Sequence, residues 1–224
     1  MNPTQEPEPL SNPVDFREIF VGSRILPLLV IDNPELARTL LETLFSSGIK
    51  VAEIALRTPE SLLALKLATQ VTGVRVGAGT VLTVDQVNKV ADAGAKFVVC
   101  PSFDEAVVDR ALQLGLPVLP GVATASEVHK AVNKGLAAVK FFPADSLGGL
   151  RAIDSFSGPF PNMSFVPSGG VSETNFESYL RHPCVPAVSG SWIAPRNLIE
   201  NANFAEIARI SSQAVSALEL AKLI

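Results

Sequence analysis

The chain has 224 residues, of which 47% are hydrophobic and 18% are charged, and its formal net charge at pH 7 is −4. This length suffices for one well-filled core, and the acidic balance lacks the basic footprint that is typical of proteins binding nucleic acid. The longest apolar runs, such as residues 25–31, are too short to span a bilayer, so no membrane segment is predicted.

The N-terminal residues and the cysteines indicate the cellular setting. The first residues carry acidic side chains and prolines where a secretion signal needs basic and then apolar stretches. We therefore predict a disordered tail over 1–13, and one domain over 14–224 that begins with a short helix around 14–20. Cys100 and Cys184 have no metal-ligand spacing, which predicts reduced thiols in a cytoplasmic protein.

Short apolar runs alternate with segments of helical periodicity along the whole chain. The predicted strands are 25–31, 51–56, 75–80, 97–101, 117–122, 138–143, 164–170 and 187–192. The predicted helices are 34–47, 60–70, 84–93, 104–114, 126–134, 147–156, 175–180 and 204–223. Asn33 before Pro34 fits a helix start, and Thr174 with Glu177 fits a capping box. Glycines that follow helical stretches and fit helix ends are Gly48, Gly73, Gly94, Gly115 and Gly135.

Eight strand–helix units predict an α/β fold of the compact (β/α)8 TIM-barrel type. A doubly wound open sheet is the main alternative. It usually has about five or six strands and a glycine-rich turn after the first one, whereas this chain has Asp32, Asn33 and Pro34 there. Because barrel active sites lie at the carboxyl ends of the strands, polar inward-facing residues at those ends are the candidates.

Lys140 alone among the lysines lies inside an apolar strand. The alternation of side chains places Ala138 and Phe142 on its face of the strand, and Val139 and Phe141 on the opposite face. Burial disfavours the ammonium ion, and the neutral amine is the form that attacks a carbonyl carbon. The alternative is a lysine that reaches the rim or neutralises a buried carboxylate.

Glu53 is the one carboxylate in the middle of a predicted strand, and Arg57 follows on the same face, four residues nearer the strand end. A glutamate near Lys140 could relay protons, and a guanidinium at the strand end could hold a substrate carboxylate through two hydrogen bonds. A purely structural ion pair is the alternative.

Glycine-rich signals end the last two predicted strands. Ser168, Gly169 and Gly170 end the seventh, and Gly190 and Ser191 lie at the end of the eighth. In barrels of this type, the loops at these two positions often bind phosphate through backbone N–H groups. Plain turns are the alternative interpretation.

No metal site is predicted. His129 falls within a helix and His182 in a loop, and Asp32 and Asp145 are metal-ligand candidates by position only. No Ser/His/Asp triad is evident.

Several runs of the chain together resemble one known family. They are GIKVAEIALRT, VGAGTV, LPGVATASE, VKFFPAD, FVPSGGVS and SGSW, in order over residues 20–220. They are similar to the 2-dehydro-3-deoxy-6-phosphogluconate (KDPG) and 4-hydroxy-2-oxoglutarate (KHG) aldolases. The resemblance implies a class I aldolase on a compact (β/α)8 barrel, without a cofactor, which acts on a phosphorylated keto acid and is usually a homotrimer.

The resemblance also implies roles for individual residues. Lys140 matches the Schiff-base lysine, Glu53 the general acid/base, Arg57 the clamp for the pyruvate carboxylate, and Thr80 a further pyruvate-binding residue. Ser168 stands where the family senses the configuration of the C4 hydroxyl, which favours the gluconate over the galactonate epimer. Further matches are Pro101, Pro120 and Phe142 in the pocket lining, and Gly169, Gly170, Gly190 and Ser191 in the phosphate cradle.

Two positions depart from the family pattern. Ser102 stands where the family has glycine, so the loop after the fourth strand is expected to differ, and Ala55 stands where threonine is common. Both departures concern substrate preference more than reaction type.

The expected reaction is therefore the reversible cleavage of KDPG to pyruvate and glyceraldehyde 3-phosphate. KHG or the galactonate epimer is an alternative substrate. A phosphosugar isomerase or epimerase, and a non-catalytic phosphosugar-binding barrel, are alternatives of other classes.

Overall fold

The structure, a computed structural model, describes residues 15–223. Within this range, strands and helices alternate as predicted. The strands are β1 (Ile25–Leu29), β2 (Val51–Ala55), β3 (Arg75–Gly79), β4 (Val98–Val99), β5 (Val118–Leu119), β6 (Gly121–Val122), β7 (Ala138–Phe141), β8 (Ser164–Pro167) and β9 (Val188–Gly190). The α-helices are α1 (Ala37–Ser46), α2 (Ser61–Ala68), α3 (Val84–Asp92), α4 (Glu105–Gln113), α5 (Ala125–Asn133), α6 (Leu150–Ser157), α7 (Phe176–Leu180), α8 (Arg196–Glu200) and α9 (Phe204–Leu220). The predicted tail, residues 1–13, lies outside the described range.

All paired strands run parallel, which confirms the prediction of a parallel α/β fold. The strands form a six-stranded sheet in the order β5-β4-β3-β2-β1-β9 and a three-stranded sheet in the order β6-β7-β8. An isolated parallel bridge joins Ser168, just after β8, to Ser189 in β9.

The predicted fifth strand, 117–122, is two short strands separated by Pro120. β5 pairs with β4, whereas β6 pairs with β7. Proline has no N–H to donate to a ladder, so the pairing is interrupted at this position. The carbonyl of Pro120 still accepts a hydrogen bond of 2.9 Å from the backbone N–H of Lys140.

The alternation predicted for the sixth run is confirmed by two separate apolar clusters. Val139 and Phe141 belong to the large cluster that includes the buried faces of the helices, and the Phe141 ring meets the ring of Phe156 from α6 edge-on at 5.8 Å. Ala138 belongs to the second cluster, built mainly from the opposite faces of the strands. Lys140, two residues on, therefore shares the face of Ala138.

The short N-terminal helix is a 3-10 helix over Phe16–Phe20, within the predicted 14–20. Phe16 packs edge-on against Phe97 at 5.4 Å, and the Arg75 guanidinium donates hydrogen bonds to the carbonyls of Ile19 and Val21. Because Arg75 begins β3, the helix covers the amino ends of the strands. The carboxyl ends of the strands therefore remain as the place for a polar site.

The helix-end signals were mostly right. All five glycines predicted to end helices have positive φ, between +68° and +91°. The capping box predicted at Thr174 and Glu177 was wrong, because α7 begins after Asn175, whose side chain instead accepts from the Ser172 N–H. The capping box seen in the structure joins Thr124 and Glu127 at the start of α5. The short helix α8 was not predicted.

None of the described helices is long and apolar enough to cross a membrane.

Candidate active site

Two oppositely charged side chains meet in the interior. Lys140 in β7 and Glu53 in β2 are 3% and 0% exposed, and Lys140 Nζ lies 3.6 Å from Glu53 Oε1. Removing two charges from water is costly, and their mutual attraction offsets that cost only in part. The predicted lysine–glutamate pair is thus brought together, at a distance over which a proton can pass through a substrate atom or one water.

Ser189 in β9 is a further contact of this pair that the sequence reasoning missed. Its buried hydroxyl donates a hydrogen bond of 3.0 Å to Glu53 Oε1, whereas Glu53 Oε2 has no hydrogen-bond partner among the described residues. The alternation that placed Lys140 inside could have found it, because Ala187, two residues earlier, lies in the interior cluster.

An aromatic ring and a thiol also lie near Lys140. The ring of Phe142 lies 5.4 Å from Nζ, measured to its centroid. Burial raises the pKa of the Cys100 thiol to about 12, against a smaller opposing effect of the Lys140 charge. Cys100 therefore stays neutral and adds no further charge to those of Lys140 and Glu53.

Arg57 and Thr80 meet at the outer end of the site, beyond β2 and β3. Arg57 Nε donates a hydrogen bond of 3.0 Å to Thr80 Oγ1, and the Arg57 side chain is exposed. Thr80 has φ of +58°, a conformation that a β-branched residue rarely adopts and that often marks a functional position. The other N–H groups of the guanidinium are available for a carboxylate.

A cavity of about 310 Å³ opens next to Arg57. It brings together most of the predicted substrate residues: Arg57, Phe142, Ser168, Gly169, Gly170, Gly190 and Ser191. At Gly170, φ is +85° and an added Cβ would lie 2.2 Å from the Cβ of Asp145, so this turn requires glycine. Exposed backbone at such a turn suits an anion.

Arg196, which the sequence reasoning also missed, lines the same cavity. Its guanidinium donates hydrogen bonds of 2.8 and 2.6 Å to Asp32, and these bonds hold the pKa of Asp32 below its ordinary value. Asp32, a metal-ligand candidate by position, is thus ion-paired with Arg196. In the part of the chain that the structure describes, no group of three His, Cys, Asp or Glu residues could hold a metal ion.

Pro101 lies beside β6. An added Cβ at Gly121 would lie 2.2 Å from the carbonyl oxygen of Pro101. Pro101 does not line the 310 Å³ cavity. Ser102 is not among the non-glycine residues with positive φ in the described range, which are Thr80, Ala202 and Lys222. Residue 102 therefore does not adopt the left-handed backbone conformation that would favour glycine.

A larger cavity, of about 650 Å³, lies at the opposite end of the strands. Arg17, Ala137 and Ser164, which stand at the start of the 3-10 helix and at the amino ends of β7 and β8, are among its lining residues. Neither cavity is lined by Lys140 or Glu53 themselves. The smaller cavity is the candidate substrate site, because it is lined by Arg57 and by Phe142, whose ring lies beside Lys140 Nζ.

Comparisons with known proteins cover almost the whole chain. A family model described as KDPG and KHG aldolase matches residues 17–210. A 2-dehydro-3-deoxy-phosphogluconate aldolase of Pseudoalteromonas atlantica is 36% identical over 204 residues, which are 91% of this chain and 95% of that protein.

Solved structures give the same result. The KDPG aldolase of Legionella pneumophila, with pyruvate captured at low pH as a covalent carbinolamine, has a TM-score of 0.86 and 37% identity, covering 90% of this chain and 98% of that one. The enzyme of Zymomonas mobilis ZM4 with 3-phosphoglycerate has a TM-score of 0.84 and 34% identity, covering 89% and 94%. Since model, relative and structures agree over nearly its full length, this chain belongs to the KDPG and KHG aldolase family and is a carbon–carbon lyase.

Proposed function

We propose that the enzyme reversibly cleaves KDPG to pyruvate and glyceraldehyde 3-phosphate through a Schiff base on Lys140. The observation that carries the proposal is the buried Lys140 amine 3.6 Å from the Glu53 carboxylate. The amine is the nucleophile, and the carboxylate is at hand to move protons to and from it. The pyruvate carbinolamine of the Legionella relative supports the same chemistry.

The steps balance with protein side chains alone. Glu53 first takes a proton from the Lys140 ammonium; the freed amine adds to the C2 ketone, and Glu53 gives that proton to the carbinolamine hydroxyl so that water leaves and an iminium forms. The C4 hydroxyl then gives its proton to Glu53, the C3–C4 bond breaks, and its electron pair passes to the iminium to form an enamine. Glyceraldehyde 3-phosphate departs, C3 is protonated, and hydrolysis releases pyruvate and the free amine.

The substrate is proposed to lie across the cavity. Arg57 holds the pyruvate carboxylate with help from Thr80, and Phe142 lines the reacting carbon atoms, with Pro101 further inside, beyond the lining of the cavity. Ser168 is near the C4 hydroxyl, which favours the gluconate epimer. The backbone of Gly169, Gly170, Gly190 and Ser191 receives the phosphate, and the 3-phosphoglycerate complex of the Zymomonas relative agrees with a phosphate subsite.

We also propose that residues 14–224 form a single domain whose two sheets close into one (β/α)8 barrel. The Ser168–Ser189 bridge joins one pair of sheet edges, and only Pro120 separates β5 from β6 at the other. A homotrimer agrees with the exposed apolar residues Leu62 and Leu63 on α2. The acidic balance agrees with a cytoplasmic enzyme that acts on a small keto acid.

Borohydride reduction in the presence of pyruvate tests the proposed function. Imine formation predicts one reduced pyruvyl adduct, and peptide mass mapping should place it on Lys140. A phosphosugar isomerase or epimerase forms no imine, so a folded, pyruvate-saturated sample without the adduct would support that alternative class.

Arg196 lines the cavity with Gly190 and Ser191, and we propose that an N–H group not bonded to Asp32 or Glu200 donates to the phosphate. Substitution of Arg196 tests this phosphate end of the site. In the direction of aldol addition, Arg196→Ala should raise KM for glyceraldehyde 3-phosphate by about tenfold, because one charge-assisted hydrogen bond to phosphate is lost. KM for unphosphorylated glyceraldehyde should not change. Arg209→Ala is the matched control, since Arg209 pairs with Glu206 on α9 and not with the cavity. Equal effects on both aldehydes would contradict phosphate binding by Arg196.

A further inference from the structure

We propose that Ser189 is a positioning residue that holds Glu53 for proton transfer; this inference rests on the proposed aldolase function. Ser189 in β9 is 1% exposed. β9 pairs with β1, and a bridge joins Ser189 to Ser168, just after β8. Its hydroxyl donates to Glu53 Oε1 at 3.0 Å. The bond connects two strands that are 136 residues apart in the chain and fixes one oxygen of the catalytic carboxylate.

The bond gives the two oxygens of Glu53 different surroundings. Oε1 accepts from Ser189 and faces Lys140 Nζ at 3.6 Å, whereas Oε2 has no hydrogen-bond partner in the described part of the chain. A buried carboxylate oxygen without a donor is costly, and such groups in native proteins often have a functional role. The oxygen without a partner is the one available to exchange protons with the carbinolamine, the C4 hydroxyl and the enamine.

Oε2 packs against a glycine. A Cβ added at Gly79 in β3 would lie 2.8 Å from Glu53 Oε2, so the carboxylate fits only because residue 79 has no side chain. At Gly77, the register partner of Glu53 in β3, an added Cβ would lie 2.3 Å from the ring of Phe97. The carboxylate is therefore held by Ser189 on one side and by the backbone of β3 on the other.

The charged and titratable groups around Glu53 determine how deletion of the serine hydroxyl acts. Lys140 from β7 faces Oε1. Arg57 lies further along the same face of β2 and is hydrogen-bonded to Thr80. Cys100 after β4 stays neutral because burial raises its pKa to about 12, and the register partner of Glu53 in β1 is the apolar Leu28. Donation by Ser189 holds Oε1 in place beside Lys140, so its loss should leave the carboxylate without a fixed orientation for proton transfer.

The test follows deuterium exchange of the pyruvate methyl protons by NMR, because this exchange requires the enamine and the proton relay but no aldehyde. Ser189→Ala should slow the exchange and lower kcat by about ten- to a hundredfold, with KM for pyruvate changed by less than about twofold. Ser189→Thr, which keeps a hydroxyl, should restore most of the rate. Ser189→Cys, with a weak donor of similar size, should behave like the alanine variant.

The control is Ser211→Ala. Ser211 in α9 is also fully buried, but its hydroxyl has no partner among the described residues, so the exchange rate should not change. An unchanged exchange rate in Ser189→Ala would overturn the role of Ser189. Equal losses in the alanine and threonine variants would do the same and indicate a packing role. Borohydride trapping of the unsubstituted enzyme separates these outcomes from failure of the proposed function, since no trapping would overturn both proposals.

Discussion

Replacement of Lys140 by arginine is expected to lower kcat by at least about ten-thousand-fold, because the reaction loses its nucleophile. The guanidinium keeps a positive charge beside Glu53, but it is always protonated and cannot add to a ketone. The measurement is cleavage of KDPG, with the release of pyruvate followed by a coupled assay. Borohydride treatment with pyruvate should leave the variant unmodified.

Two further variants separate chemistry from stability. Lys140→Met removes the charge and leaves Glu53 as an unpaired buried carboxylate, which should lower the free energy of unfolding by about 3–5 kcal/mol. The arginine variant should keep more of that stability if its larger side chain is accommodated. Lys66→Arg on the exposed side of α2 is the matched control and should retain full activity. Activity of Lys140→Arg above about one hundredth of the original would exclude the Schiff-base mechanism at this residue.

Replacement of Glu53 by glutamine is expected to lower kcat by about a thousandfold, within the range typical of general acid–base catalysis. The amide is close in size to the carboxylate, and its oxygen can still accept from Ser189, but it cannot carry the proton. Imine formation with pyruvate should still occur, only more slowly, so the borohydride adduct should appear after longer incubation. Methyl-proton exchange of pyruvate should fall in parallel with kcat.

Glu53→Asp provides the comparison for this prediction. It keeps an ionisable group but withdraws it by about one methylene from Lys140, so an activity between those of the parent and the glutamine variant is expected. If Glu53→Gln lowers stability but leaves proton exchange intact, the pair is a structural ion bridge and another group relays the protons.

The sequence alone was enough to indicate the repeating strand–helix order and the residues that share one face of a strand. Both depend on local periodicity, and so the side of β7 on which Lys140 lies could be read from Val139 and Phe141. Strand order also predicted which side chains are neighbours, because parallel strands present their carboxyl ends at one edge. Glu53 and Lys140 were therefore expected together and are 3.6 Å apart.

Only the tertiary structure decided which side chains from distant segments meet. The hydrogen bond from Ser189 to Glu53 joins residues 136 positions apart, and that from Arg196 to Asp32 joins residues 164 positions apart. Neither partner carries a local signal of the other, because these contacts depend on strand neighbours and on the lengths of loops. The division of the fifth predicted strand at Pro120 has the same origin. Proline signals an interruption of a ladder, but the change of partner from β4 to β7 depends on how the sheet curves around its interior.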